Sequence, residues 1–78
     1  MNYTDILTGR ILQKIDEEKY RTKYWKVRYV ISKSHNPGYL INNLLEFYPE
    51  AKIILTPLPT GYELVITQDE REEMTIEL

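Results

Sequence analysis

The chain's one histidine, His35, sits between Ser34 and Asn36 in KSHNPG, residues 33–38. Lys33, Ser34 and His35 bring a cation, a hydroxyl and an imidazole to the front of an Asn-Pro helix start, where the first backbone N–H groups have no partner within the helix. These three are candidate contacts for a phosphate or a carboxylate. A plain cap and loop is the competing reading, since capping alone explains Asn36 and Pro37. Ser34 and His35 do not make a nucleophile with its base, because side chains of adjacent residues do not generally meet in the geometry that proton transfer needs.

Two other groupings carry charge in a pattern. DEREEMTIE, residues 69–77, holds five acids: Asp69, Glu70, Glu72, Glu73 and Glu77. It lacks the glycine and the alternating oxygen ligands of a calcium loop. A solvated turn and edge is the default reading; the sharper one is a row of carboxylates that occupies a basic groove on a partner, where phosphates would otherwise lie. Opposite in sign is KYRTKYWKVRYVISK, residues 19–33, with six of the ten basic residues, no acid, and Tyr20, Tyr24, Trp25 and Tyr29 set among them. If Trp25, Val27, Tyr29 and Ile31 turn to the core, the other face presents Tyr24, Lys26 and Arg28, one ring beside two cations. Such a face suits a protein partner, and it is also a minimal platform for single-stranded nucleic acid. The glycine and phenylalanine pattern of an RNA-recognition module is missing, and a net charge of −2 opposes undirected attraction to nucleic acid.

The elements that must position these groups follow from local signals. Asn36-Pro37 starts a helix over residues 37–48, with Leu40, Ile41, Leu44, Leu45 and Tyr48 as its apolar stripe and Asn42, Asn43 and Glu46 toward water. Pro49 stops it, because the residue before a proline is pushed out of the α region. Before it, the alternation through residues 24–31, with Trp25, Val27, Tyr29 and Ile31 pointing one way and Tyr24, Lys26, Arg28 and Val30 the other, predicts a strand. After it, AKIILTPLPTGYELVIT (residues 51–67) reads as two strands about a tight connection, with Pro57, Pro59 and a Gly61 free to take positive φ. Ile53 and Leu55 share one face, as do Tyr62, Leu64 and Ile66. Residues 4–18 place Ile6, Leu7, Ile11, Leu12 and Ile15 at helical spacing with Thr4 as a cap, although Gly9 weakens the centre by about 1 kcal/mol relative to alanine. The rival there is a strand over residues 10–16, in a hairpin with the strand that follows. Met74, Ile76 and Leu78 alternate, so the last residues predict an edge strand guarded by glutamates.

The expectation is therefore an α+β fold: one domain over residues 1–78, with a three- to four-stranded, mainly antiparallel sheet packed by the helix at 37–48 and by an N-terminal helix at 4–18. With 78 residues the chain is near the lower limit for one apolar core. Without cysteine it has neither disulfides nor thiolate metal sites, and a single histidine leaves zinc short of ligands. No stretch approaches the roughly 18 apolar residues of a membrane span, and a cytoplasmic location is expected. The charge is split: residues 1–33 carry eight bases and four acids (+4), residues 34–78 two bases and eight acids (−6). Halves of opposite sign are expected to neighbour each other across strands.

No catalytic set, cofactor site or metal site is read from this inventory. The expectation is a non-enzymatic protein-binding module. Tyr24, Lys26, Arg28, Asp69, Glu70, Glu72 and Glu73 are its candidate partner contacts, and a homodimer is among the expected assemblies. In style it is similar to short phage and mobile-element accessory proteins, a likeness that implies an inhibitor or accessory role and fixes no site. Single-stranded nucleic acid, bound through residues 19–33, is the alternative.

Overall fold

A computed structural model describes residues 3–68. Two helices and three strands follow one another in the order α1 (Tyr3–Arg21), β1 (Lys26–Ser32), α2 (Pro37–Phe47), β2 (Lys52–Leu58) and β3 (Gly61–Thr67). The α+β expectation holds, with a helix and not a strand at the N-terminus. The expected edge strand at residues 73–78 lies outside the described residues.

Helix α1 buries Leu7, Ile11 and Ile15, four residues apart on one stripe, and carries Asp5 in its first turn and Lys19 and Arg21 in its last, which suits the helix dipole at both ends. It runs three residues beyond the expected end, because Glu18, Lys19 and Arg21 are good helix formers and no breaker intervenes; the Thr22 amide still donates to the Glu18 carbonyl at 3.1 Å. Thr4 is not the cap. It lies inside the first turn, is buried, and accepts a hydrogen bond from the Thr8 hydroxyl at its own carbonyl (2.8 Å).

Helix α2 begins as expected: the Asn36 side chain accepts from the Tyr39 amide at 3.1 Å, Pro37 opens the helix, and Tyr48 closes it one residue before Pro49. Leu40 and Leu44 are buried, with Ile41 and Tyr48 packed at the margin. Asn43 departs from the expected polar face. It is half-buried and donates to the Thr8 hydroxyl at 3.2 Å, because α1 lies alongside this part of α2. Tyr39 donates to Asp5 at 3.0 Å, and Lys19 reaches the Tyr48 hydroxyl at 3.2 Å, so polar contacts tie the helix pair at both ends.

The sheet has the order β1-β3-β2, and both pairings are antiparallel. Of the described strands the central one, β3, comes last in sequence and β1 and β2 flank it; Pro57, which has no N–H to give to a ladder, stands on a flanking strand. Val27 and Ile31 of β1 and Leu64 and Ile66 of β3 meet Leu7, Ile11, Ile15, Leu40 and Leu44 in one core, so both helices cover the same sheet face. Trp25, 3 % exposed, closes the end of this core against Tyr48 in an edge-on ring contact with centroids 5.4 Å apart. Its carbonyl accepts from the buried Thr67 hydroxyl at 2.9 Å. Basic β1 pairs along its length with β3, which holds one acid, Glu63; five of the eight acids of the second half are at residues 69–77, outside the described residues.

One expectation about the hairpin is corrected. Leu58 pairs with Gly61 around Pro59-Thr60, and no described residue has positive φ. Gly61 is needed for closeness instead: a Cβ there would stand 2.0 Å from the Ile31 carbonyl oxygen.

Candidate binding face

With the helices all on one side, the other face of the sheet is set by strand alternation alone. Reading the register across β1, β3 and β2 gives four rows: Lys26, Thr67, Lys52; Arg28, Val65, Ile54; Val30, Glu63, Thr56; and Ser32, Gly61, Leu58. Among the described residues no helix packs on this face. Val30 is 62 % exposed and Ile54 48 %, values that no core position approaches. The face therefore offers aliphatic side chains in its middle and cations at one end.

Of the sequence-predicted contacts, Lys26 and Arg28 stand on this face. Arg28 Nε lies 3.6 Å from Glu63 Oε2 on the neighbouring strand, with both side chains substantially exposed. Such a pair contributes only a few tenths of a kcal/mol up to about 1 kcal/mol, and it leaves the guanidinium able to turn to a partner. Tyr24 is placed differently. It lies in the connection before β1, its amide donates to the Thr22 hydroxyl at 3.1 Å, and Lys23 Nζ sits 5.3 Å from its ring centroid. The remaining rings of β1 and β3, Tyr29 and Tyr62, pack against the core on the helix side. A run of stacked bases needs rings along an open groove, and the four rows above contain none. Asp69, Glu70, Glu72 and Glu73 lie outside the described residues.

The anion candidates separate in the same way. Ser34 and His35 line a cleft beside α1, whereas Lys33 does not reach it. The Ser34 hydroxyl is 2.6 Å from that of Ser32, and His35 Nδ1 lies 3.4 Å from the Thr4 hydroxyl. At the start of α2 Pro37 has no N–H and Asn36 already takes that of Tyr39, so few donors of the helix start remain for an anion.

Sequence reasoning set Val30 outward with Lys26 and Arg28 but missed Ile54, Val65 and Lys52 as part of the face, and Arg10 as part of the cleft. A signal for the first group was present: once Ile53 and Leu55 point inward, Ile54 must point outward, and an isoleucine there has no core to fill. Arg10 follows Ile6 and Leu7 on one helical stripe, but only the tertiary fold sets that stripe against Ser34 and His35. Comparison of the chain with protein-family models, with curated proteins and with solved structures finds no match.

Proposed function

We propose that this chain is a non-enzymatic protein-binding module, an inhibitor or accessory protein that works by covering a partner's surface with the sheet face opposite the helices and the adjoining β1 edge. The observation that supports this reading is the exposure of Val30 and Ile54 in the middle of a face that also carries Lys26, Arg28 and Lys52. Apolar groups with cations at one side match a partner patch that is apolar at its centre and acidic at its rim.

Size decides how much surface is used. Three strands of seven residues span roughly 23 Å by 14 Å, a footprint of about 300 Å², while a stable contact takes about 800 Å² from each side. The face alone is too small. The contact extends over the β1 edge, which pairs with no second strand among the described residues and carries no proline, whereas β2 carries Pro57.

The absence of cysteine allows a direct test, because a single introduced thiol can be labelled selectively. Ile54→Cys and, as a control on α1, Gln13→Cys are each coupled to a photo-crosslinker and irradiated in lysate of the source cells. The expected result is one discrete adduct from the Ile54 position, competed by unlabelled parent protein and not by an Arg28→Glu, Val30→Lys variant that keeps its fold. An adduct at twice the chain's mass identifies a second copy as the occupant. Equal labelling from both positions, or an adduct that both competitors suppress alike, refutes the assignment of this face.

A further inference from the structure

On the helix side of the molecule, away from that face, Tyr3, Ile6, Leu7 and Arg10 line up along α1 at spacings of three and four residues. Opposite them the turn after β1 places Ser34 and His35, and the space between is a cleft of about 440 Å³. That volume lies in the range of small-molecule sites, which combine an apolar wall with a few convergent polar groups. The wall here is Ile6, Leu7 and Tyr3. The polar groups are Arg10, Ser34 and His35, and no carboxylate is among the described lining residues.

We propose that this cleft binds a small organic anion, a carboxylate or phosphate monoester with an apolar group attached, holding its head by Arg10, His35 and Ser34 and its body against Ile6, Leu7 and Tyr3. Three observations carry the assignment. Arg10 makes no ion pair or hydrogen bond among the described residues, so its guanidinium keeps all five donors. The Thr4 hydroxyl engages Nδ1 of His35 at 3.4 Å, which leaves Nε2 as the imidazole nitrogen not taken up within the fold. In the tautomer in which Nδ1 accepts from the Thr4 hydroxyl, Nε2 carries the proton and can donate. Finally, Ile6 is 42 % exposed on the cleft wall, an apolar surface that an uncharged ring or short alkyl chain would cover.

The site does not depend on the helix start that the sequence brings to mind. The α2 N-terminus is capped from within, and the donors come from α1 and from the turn. It is also separate from the sheet face, so failure of either assignment leaves the other standing.

The test is a titration of the ¹⁵N-labelled protein with phenyl phosphate and with benzoate, with inorganic phosphate and benzyl alcohol as the head and the body alone. Saturable shifts are expected at the amides of Ile6, Leu7, Arg10, Ser34 and His35, with a dissociation constant on the order of 1 mM for so small a probe. Which probe binds more tightly tells a phosphate ligand from a carboxylate one. Each half alone should bind at least about tenfold more weakly, as should the preferred probe to Arg10→Gln, because a hydrogen bond to a charged group contributes more than that factor. Lys14→Gln, one turn farther along α1, should bind as the parent does. No saturable shift up to about 10 mM of either probe, or an Arg10→Gln variant that keeps the parent affinity, overturns the proposal.

Discussion

Replacing Gly61 by alanine tests the packing of the sheet at its tightest point. The added Cβ would stand 2.0 Å from the Ile31 carbonyl oxygen, 3.0 Å from its carbonyl carbon and 3.1 Å from the Ser32 Cα. All three are backbone atoms, so no side chain can swing away. To bring the first contact out to even 3.0 Å, the end of β1 must move by about 1 Å relative to β3, and the Ser32 to Gly61 pairing must open or tilt. Overpacking of this kind costs about 1–3 kcal/mol. Alanine recovers about 0.4–1 kcal/mol by restricting the unfolded chain, so a net loss of about 1–2 kcal/mol is expected. In urea, with a slope of about 1 kcal/mol/M for so short a chain, the midpoint should fall by 1 M or more. Gly9→Ala is the internal control. It adds the same methyl group to the middle of α1, where nothing lies within 4 Å, and it should raise stability by about 0.5–1 kcal/mol. Urea unfolding of both variants by far-UV circular dichroism measures the two signs together. A Gly61→Ala protein as stable as the parent would refute the close approach of β1 and β3, since positive φ is not available as another reason for that glycine.

Leu44→Ala removes a fully buried side chain between α2 and the sheet and should cost about 2–5 kcal/mol, read from the same urea curves. Trp25→Ala should cost about 3–5 kcal/mol and remove the near-UV signal that comes from its contact with Tyr48; a folded variant that loses only partner binding would place the tryptophan on the wrong side of the strand. Asn36→Ala frees the Tyr39 amide and should cost about 0.5–2 kcal/mol, with amide exchange quickening in the first turn of α2 before the sheet. If the β1 edge is taken by a second copy, sedimentation at micromolar concentration gives a mass above the monomer's 9.4 kDa, and a monomer mass removes that occupant.

What was legible in the sequence is what local chemistry decides. The start and end of α2 are written in Asn36, Pro37 and Pro49, and the inward face of β1 in the alternation of Val27, Tyr29 and Ile31. The misreadings share a tertiary cause. Gly61 matters because Ile31, distant in sequence, comes within contact of it. Asn43 turns inward because Thr8 of another helix accepts its hydrogen bond. The basic run of residues 19–33 reads as a single surface, yet the chain divides it into a helix end, a connection and a strand, and so Tyr24 does not follow Lys26 and Arg28 onto the sheet. For the site, Lys26 and Arg28 were visible from strand parity, but the register that sets Ile54 and Val65 beside Arg28 exists only once β3 lies between the two edges.

The order β1-β3-β2 also explains how so small a core leaves surface for binding. Every described apolar side chain that the helices can reach is used on one face, and Trp25 and Tyr48 seal the end of that face. The strands on which the helices rest must still alternate, so each inward residue obliges an outward one. In β1 and β2 the outward places went to Lys26, Arg28 and Val30, and to Lys52 and Ile54, not to the uniformly polar residues that solvation alone would favour. Stability does not ask for valine or isoleucine there, since neither is covered by a described residue to the extent that its neighbours in the core are. Substitutions at Val30 and Ile54 should therefore separate binding from folding, and those at Ile31 and Ile53, one residue away on the same strands, should not.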